Sequence, residues 1–250
     1  NFQVLPEDIA AAVTDKTTAI LINSPNNPTG AVFPRSTMEA LAEICKRHDL
    51  WLISDEVYST VTFGTEHFSP CALPGMAERT ITINSLSKSH AMTGWRLGWV
   101  VCPEDMALHL GNLTLCMLFG SPAFIQDAAK VALTTKLPEL EQMRQTYQRR
   151  RDVFYQQLKN IEGIHCHLPE AGMFLMVDIR ATGMSSQDMA ELLLNKFDVA
   201  TLPGVAFGPS GEGHIRVSLG VSEEDLVKAS HRIAACIDYI QANKHPQDLG

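Results

Sequence analysis

The chain has 250 residues, of which 45% are apolar and 19% are charged, and its formal net charge is −8. This length corresponds to one large domain or two modest ones, and the composition excludes a disordered tail or a fibrous repeat. The acidic balance disfavours a polyanion-binding surface, so we expect no nucleic-acid partner. No apolar run approaches the ~20 residues that cross a bilayer, and the first residues lack a signal-peptide pattern. We therefore expect a cytoplasmic protein without membrane contact.

The cysteines and histidines do not form a metal-binding pattern. There is no CxxC pair among the six cysteines and no HExxH arrangement among the nine histidines. Most cysteines have apolar neighbours, so we interpret them as reduced core thiols and expect neither a metal site nor a disulfide framework. The cysteines are Cys45, Cys71, Cys102, Cys116, Cys166 and Cys236.

Short apolar strands alternate with helices in the first part of the chain. Ser36 and Glu39 have capping-box spacing ahead of an apolar helical stripe, which indicates a helix that Ser36 caps. The alternation implies a mostly parallel sheet covered by helices on both faces, an α/β fold with three layers. The predicted strands span residues 17–23, 50–54, 80–84 and 97–101, and the other predicted helices span residues 6–13, 104–117 and 124–134.

A long charged helix predicted at residues 137–160 precedes a change of pattern. Its basic run Arg149-Arg150-Arg151 is interpreted as a solvated face. Beyond it the pattern predicts a smaller C-terminal α+β domain, so we divide the chain into domains at 1–145 and 146–250. Its strands are predicted at 173–179 and 214–219, and its helices at 187–197 and 223–242.

Three consecutive strands of the first domain end in polar loops. The loops begin at Asn23, Ser54 and Asn84. Because loops at the carboxyl ends of parallel strands converge on one edge of the sheet, we expect a ligand there. Each loop also has an ordinary explanation when taken alone: turn chemistry at residues 28–30, a helix cap at Asp55 and a solvated side chain at Lys88.

Together the loops carry the groups that one kind of ligand needs. Ser85, Ser87, Thr93 and Arg96, with the glycines at 94 and 98, supply hydroxyls, backbone donors and a forked cation that suit a phosphate monoester. Lys88 lies among them, and a lysine with lowered proton affinity can condense with an aldehyde to form a Schiff base. With an acid at Asp55 and a hydroxyl at Tyr58, this set suits pyridoxal 5'-phosphate better than a nucleotide.

The order and spacing of these motifs resemble those of the class I/II aminotransferases of fold type I. The motifs are Asn-Pro-Thr-Gly at 27–30, Asp-x-x-Tyr at 55–58, Ser-x-Ser-Lys-x5-Gly-x-Arg-x-Gly at 85–98 and Arg-x-Ser-Leu at 216–219. The resemblance runs across nearly all of the chain. It implies a pyridoxal-phosphate enzyme, a homodimer, that moves an amino group from an L-amino acid to a 2-oxo acid.

The resemblance also implies roles for particular residues. Lys88 forms the Schiff base, Asp55 pairs with the pyridine nitrogen, and these two with Tyr58 make the catalytic set. Arg216 binds the α-carboxylate of the substrate, and Asn27 is also counted as substrate-binding. Asn27 and Tyr58 bind the phenolic oxygen of the cofactor ring. The residues expected to bind the cofactor are Asn27, Asp55, Tyr58, Ser85, Ser87, Lys88 and Arg96.

Substrate choice and completeness stay open at this point. Residues 87–96 and 115–129 look like the corresponding stretches of bacterial arginine:pyruvate transaminases, and the acidic partner of a cationic substrate is then Glu56 or a residue in an absent segment. Family members have a stretch upstream of the strand at 17–23, so we expect that the N-terminal part is missing and that a strand edge is exposed.

Two other functions are compatible with the same motifs. A carbon–sulfur lyase on this scaffold keeps every cofactor residue and differs only in what leaves the substrate. A sensing domain of a transcription regulator binds the cofactor with little chemistry. The complete set of motifs, including Arg216, favours the aminotransferase.

Overall fold

The structure is a computed structural model that describes residues 2–243. It contains two compact units. The first, here the large unit, consists of residues 2–27 and 31–144, and the second, the small unit, consists of residues 28–30 and those from 145 onward. Each unit has its own cluster of buried apolar side chains.

The large unit contains a four-stranded sheet in the order β1-β2-β3-β4. The first three strands are parallel, and β4 pairs antiparallel with β3. The strands are β1 (Ala19–Asn23), β2 (Trp51–Asp55), β3 (Thr80–Ser85) and β4 (Gly98–Val101). The helices are α1 (Pro6–Ala12), α2 (Arg35–His48), α3 (Leu86–Ser89), α4 (Glu104–Leu118) and α5 (Ala123–Thr134).

The core of the large unit forms where α2 packs on the sheet. Met38, Leu41 and Cys45 have no exposed surface, and they cluster with Ile22 of β1 and Leu52 of β2. The apolar stripe predicted for α2 is therefore confirmed.

The expected cap of α2 is wrong. The helix begins at Arg35 and its N-cap is Pro34, which makes no side-chain cap. The amides of Thr37 and Met38 both donate to the carbonyl of Pro34, at 2.9 and 3.2 Å. Ser36 consequently lies inside the first turn rather than ahead of it.

Apolar side chains remain exposed around β4 and α4. Val100 and Val101 of β4 are 43% and 53% exposed, and α4 buries no residue. Leu115 is 61% exposed and Phe119, just after α4, is 88% exposed. Within residues 2–243, the helical cover expected on both faces of the sheet is thus incomplete at these two elements.

The small unit has a second, antiparallel sheet in the order β5-β6-β8-β7. The predicted α+β composition is confirmed, although the two-residue strands β5 and β7 were not predicted. The strands are β5 (His165–Cys166), β6 (Phe174–Asp178), β7 (Leu202–Pro203) and β8 (His214–Ser218). The helices of the C-terminal half are α6 (Pro138–Leu158), which crosses the boundary at residue 145, α7 (Ser186–Phe197) and α8 (Glu223–Asn243).

The basic run on α6 is only partly a solvated face. Arg151 is 7% exposed, donates to the carbonyl of Pro169 at 2.9 Å and pairs with Asp152 at 2.7 Å. A buried guanidinium needs such partners, so Arg151 ties α6 to the segment ahead of β6.

The thiols do not all behave as the sequence predicts. All six are free, and burial raises the pKa of Cys45, Cys166 and Cys236 to about 11. Cys116 on α4 is exposed, so its interpretation as a core thiol is wrong. In the described part of the chain, there is no group of three or more His, Cys, Asp or Glu residues that could hold a metal ion.

Within residues 2–243, no helix combines the length and the apolar character that crossing a bilayer requires.

Candidate active site

Three parallel strands of the large unit end at one edge of the sheet. Asn23 pairs in register with Asp55, and Asp55 with Ile83. Beyond the edge, the carbonyl of Asp55 accepts from the amide of Ser24 at 3.1 Å. The backbone amide of Glu56 donates to the carbonyl of Ile83 at 2.9 Å. The segments after the three strands therefore start side by side, as the sequence predicts.

Asp55 occupies the middle of this edge. Its side chain is half-buried, and its Oδ1 accepts from the amide of Val57 at 3.2 Å. Burial raises the pKa of this carboxyl, the bond from Val57 opposes the rise, and the charge of Glu56 adds to it. A poorly solvated carboxylate of this kind is stabilised by a cation placed beside it.

Asn27 lies on the loop after β1, and Tyr58 lies three residues after Asp55 on the loop after β2. The amide of Asn27 donates to Oδ1 of Asn23 at 2.8 Å, which closes the loop after β1. Tyr58 is 3% exposed, and its carbonyl accepts from Val61 at 2.9 Å in a turn after β2. Both residues are therefore on loops fixed by local hydrogen bonds.

Lys88 lies on α3, the short helix that follows β3 directly, and is half-buried. Ser85 caps this helix, because its Oγ accepts from the amide of Ser87 at 3.1 Å. Ser89 donates from its hydroxyl to the carbonyl of Ser85 at 3.0 Å. Caps and turns of this kind orient the helix that carries the lysine.

The predicted phosphate donors lie on the loop from α3 to β4 and at the start of α3. Arg96 is exposed, has a φ of 51°, and donates from Nη1 to the carbonyl of Thr93 at 2.8 Å. The hydroxyl of Ser85 donates to the carbonyl of Leu97 at 3.0 Å, so its proton is engaged within the protein. The hydroxyl of Ser87 and the remaining N–H groups of Arg96 are the donors best suited to an anion.

Gly98 brings β3 and β4 close together below these donors. A Cβ at this position would lie 2.7 Å from the carbonyl oxygen of Asn84 and 3.5 Å from the Cβ of Ser85. Any side chain here would force β4 away from the start of α3. The glycine therefore maintains the backbone that presents Ser85 and Ser87.

The chemistry of this donor set fits pyridoxal 5'-phosphate. Asp55 offers a half-buried carboxylate to the protonated pyridine nitrogen, and Lys88 offers an amine to the aldehyde. Ser87 and Arg96 offer donors to the phosphate. These residues all belong to the large unit.

Arg216 belongs to the small unit, at the centre of β8 between Met176 of β6 and Leu202 of β7. Its guanidinium carbon lies 3.9 Å from the ring centroid of Phe174 and 4.7 Å from that of Phe207. Cation–π contacts at these distances hold the guanidinium of Arg216 beside the two aromatic rings. The sequence did not reveal this aromatic pair, although both rings lie in segments rich in Gly and apolar residues.

The suggestion that Glu56 meets a cationic substrate is wrong. Its side chain is 6% exposed, and its carboxylate accepts from Ser54 at 2.9 Å and from Ser69 at 2.7 Å. His67 Nε2 lies 3.0 Å from its second oxygen. Every oxygen thus has partners inside the large unit. No motif predicts this cluster, because His67 and Ser69 lie in a loop without a recognisable pattern.

The fold and this donor set define a class of protein: a pyridoxal-phosphate-binding transferase of fold type I. A family model described as aminotransferase class I and II matches residues 1–233, and the chain belongs to that family. Members of the family depend on pyridoxal 5'-phosphate.

Two curated proteins and two solved structures document the similarity. The chain is 57% identical over 236 residues to an arginine–pyruvate transaminase of Pseudomonas aeruginosa, covering 94% of this chain and 60% of that protein. It is 42% identical to a putative aminotransferase of Bacillus subtilis, covering 93% and 60% of the two chains.

An aromatic aminotransferase structure from Pyrococcus horikoshii has a TM-score of 0.93 at 38% identity, with coverage of 96% of this chain and 65% of that one. An aspartate aminotransferase of Thermus thermophilus solved with maleate has a TM-score of 0.89 at 35% identity, with coverage of 94% and 61%. The chain thus spans about 60% of the length of the curated relatives it matches.

Proposed function

We propose that the protein is a pyridoxal-phosphate-dependent aminotransferase that moves an amino group from an L-amino acid to a 2-oxo acid. The observation that supports this most is the sheet edge where Asp55, at the end of β2, stands in register with Ile83 of β3, five residues before Lys88. Membership of the class I and II aminotransferase family agrees with it. The cofactor, when bound, supplies an aldehyde that joins to amines and a ring that takes up the electron pair of a breaking Cα–H bond.

In this proposal the chain's own residues bind, orient and move protons. Asp55, as a carboxylate, keeps the pyridine nitrogen protonated, because a poorly solvated negative charge is stabilised by a cation placed beside it. The amine of Lys88 removes the proton from the substrate Cα and returns it to the neighbouring carbon, so one residue serves as base and then as acid. Asn27 and Tyr58 bind the phenolic oxygen of the ring.

Arg216 supplies the recognition of the carboxylate common to both substrates. The guanidinium of Arg216 lies against the rings of Phe174 and Phe207, and its N–H donors lie in one plane because the group is planar. That geometry matches the two oxygens of a carboxylate, which is planar and bidentate. We propose that this contact orients the amino acid and the 2-oxo acid alike.

We further propose arginine as amino donor and pyruvate as acceptor. The 57% identity to the arginine–pyruvate transaminase of Pseudomonas aeruginosa supports this choice. The acid that binds the guanidinium of arginine is then a group other than Glu56, since that carboxylate is enclosed. Offering arginine, aspartate, alanine and aromatic amino acids with pyruvate or 2-oxoglutarate tests the choice, and 2-oxo acid release without any acceptor would indicate a lyase instead.

The organisation of the whole protein is also a proposal. We assign residues 1–145 to the cofactor-binding domain and residues 146–250 to the small domain. We propose a homodimer that works in the cytoplasm. The exposed apolar side chains of β4 and α4 support association, because patches of that kind rarely face water in monomers.

The decisive experiment replaces Lys88 by alanine in the natural full-length protein loaded with pyridoxal 5'-phosphate. We expect the covalent attachment, measured by mass spectrometry after borohydride reduction, to disappear and transamination to fall by at least about a thousandfold, since nucleophile and proton carrier are lost together. The matched control is Lys159→Ala, which changes an exposed lysine. An alanine variant at position 88 that transaminates at the parent rate would contradict the proposal.

A further inference from the structure

The acid next to Asp55 is enclosed in a hydrogen-bonded cluster that the proposed reaction does not use. Glu56 and His67 have side chains that are 6% and 8% exposed. The hydroxyls of Ser54 and Ser69 donate to the same carboxylate oxygen, Oε1, and His67 Nε2 contacts the other. We call Ser54, Glu56, His67 and Ser69 the Glu56 cluster.

The carboxylate at the centre of this cluster is charged. Burial acts to raise the pKa of Glu56, but the bonds from His67, Ser69 and Ser54 outweigh it, and the pKa lies below its ordinary value. A buried carboxylate that accepts several hydrogen bonds keeps its charge in this way. His67 contacts the cluster through Nε2 alone. Its other ring nitrogen, Nδ1, is buried and has no hydrogen-bond partner within residues 2–243.

The cluster connects the end of β2 to the loop that follows it. Ser54 is the last residue of β2 before Asp55, while His67 and Ser69 lie 11 and 13 residues beyond Glu56. The backbone of Glu56 is held as well, by its amide to Ile83 on β3 and by its carbonyl to the amide of Ser59 at 2.9 Å. The segment that carries Asp55 and Tyr58 is thus attached through both the main chain and the side chain of Glu56.

Glu56 also acts on Asp55 through its charge. The two acids are consecutive, and the negative charge of Glu56 adds to the raised pKa of Asp55. In a partly buried setting such an interaction is screened much less than at a surface. Because Ser54, Ser69 and His67 hold the carboxylate of Glu56 in place, its negative charge stays at a constant distance from Asp55. Solvent would weaken the electrostatic effect of a mobile side chain.

We propose that Glu56 is a positioning residue of the active site, whose enclosed carboxylate fixes Asp55 and, through its negative charge, helps to keep the cofactor's pyridine nitrogen protonated. This inference rests on the proposed function. The carboxylate of Glu56 is enclosed by Ser54, Ser69 and His67. Glu56 influences the reaction only through Asp55. A change at Glu56 should therefore alter the rate of proton removal and leave substrate binding unchanged.

The test compares Glu56→Gln with the parent in the natural full-length protein loaded with pyridoxal 5'-phosphate labelled with 15N in the ring. The glutamine side chain has the same size as that of glutamate but carries no charge. We expect the 15N chemical shift to move toward that of a neutral pyridine, kcat to fall about tenfold and KM to stay within about twofold. Tenfold corresponds to ~1.4 kcal/mol, within the range for coupled neighbours in one network.

The matched control is Glu66→Gln, which removes a charge from an exposed residue next to His67. It should leave the 15N shift and kcat unchanged. If Glu56→Gln does not fold, Ser69→Ala takes its place, because it removes the 2.7 Å bond and keeps the carboxylate. A smaller change of the 15N shift and of kcat in the same direction is then expected.

Two results would overturn the inference. One is a Glu56→Gln or Ser69→Ala enzyme whose 15N shift and kcat equal those of the parent. The other is a rise of KM for arginine alone with kcat unchanged, which would put Glu56 in contact with the substrate. Failure of the proposed function is distinguishable, because it would appear in the parent as absence of covalent cofactor at Lys88 or of transamination.

Discussion

Asp55 and Glu56 are consecutive acids in opposite environments. Along β2 the side chains alternate between buried and half-buried, and the alternation continues past its end, so Asp55 stays half-buried at the sheet edge while Glu56 is turned inward. The pKa of the first is raised and that of the second is lowered. The two carboxyls suit different tasks: Asp55 faces the proposed cation, and Glu56 is held by hydrogen bonds within the protein.

At the same scale, the aromatic contacts of Arg216 lead to a prediction about substrate affinity. In the natural full-length enzyme, Arg216→Lys replaces a planar fork by a point charge that cannot bind a carboxylate through two parallel bonds. We expect KM for the amino donor and for the 2-oxo acid to rise together by about 10- to 100-fold, since a hydrogen bond to a charged group is worth ~1.5–3 kcal/mol. Steady-state kinetics with each substrate varied in turn measures this.

The matched control for that substitution is Arg149→Lys, at a side chain that is 59% exposed. It should change neither KM. If Arg216→Lys raised KM for only one of the two substrates, the arginine would recognise something other than their common carboxylate.

At the scale of elements, the loop after β1 depends on a glycine. Gly30 has a φ of +69°, and a Cβ there would lie 2.4 Å from the Cβ of Pro169 and 2.6 Å from the carbonyl oxygen of Ala171. The carbonyl of Gly30 accepts from the amides of Glu170 and Ala171, each at 3.0 Å. The turn that ends the Asn-Pro-Thr-Gly motif is therefore packed against the segment that leads into β6.

This packing predicts a large loss of stability in Gly30→Ala. The methyl group clashes with backbone that two hydrogen bonds hold in place, and the left-handed φ adds its own strain. We expect the free energy of unfolding to fall by about 3 kcal/mol, measured by urea titration. Gly64→Ala is the control: its φ is +90° and a Cβ there meets nothing within 4 Å, so only the strain of about 1 kcal/mol should appear. Equal losses in the two variants would contradict the role of the contact with Pro169 and Ala171.

At the scale of the whole molecule, the apolar surface of the large unit predicts association. Leu115 and Leu118 of α4 are 61% and 65% exposed, and the strand order leaves one edge of β1 unpaired within the described residues. Apolar patches and open strand edges bind other chains. We expect the 250-residue chain to form dimers or larger species whose fraction rises with concentration, as measured by sedimentation.

Charged substitutions on α4 test which surface is responsible. Leu115→Glu combined with Leu118→Glu should shift the chain toward the monomer. Leu194→Glu on α7, at a site that is 53% exposed in the small unit, should not. A monomeric parent chain at all concentrations would contradict the expectation.

The sequence by itself determined the class of fold, the order of the longer elements and the family. Short apolar runs located the longer strands, and apolar stripes of helical period located helices such as α2, because both patterns are local. The short elements α3, β5 and β7 were missed, since so few residues carry no pattern. Motifs at the strand ends brought Asn27, Asp55 and Lys88 to one sheet edge, because in a parallel sheet the carboxyl ends of neighbouring strands must meet. The roles of the site residues stay predictions for the experiments above.

Only the tertiary structure decided which polar groups are enclosed. Glu56, Arg151 and the rings that cover Arg216 owe their environments to partners far along the chain, such as Ser69, Pro169 and Phe174. Pro34, not Ser36, is the N-cap of α2, because its backbone carbonyl is the first acceptor of the helix. The sequence does not distinguish a charged residue that is exposed to water from one that is buried among hydrogen-bond partners. Which of the two environments a residue has depends on the distant segments that fold against it.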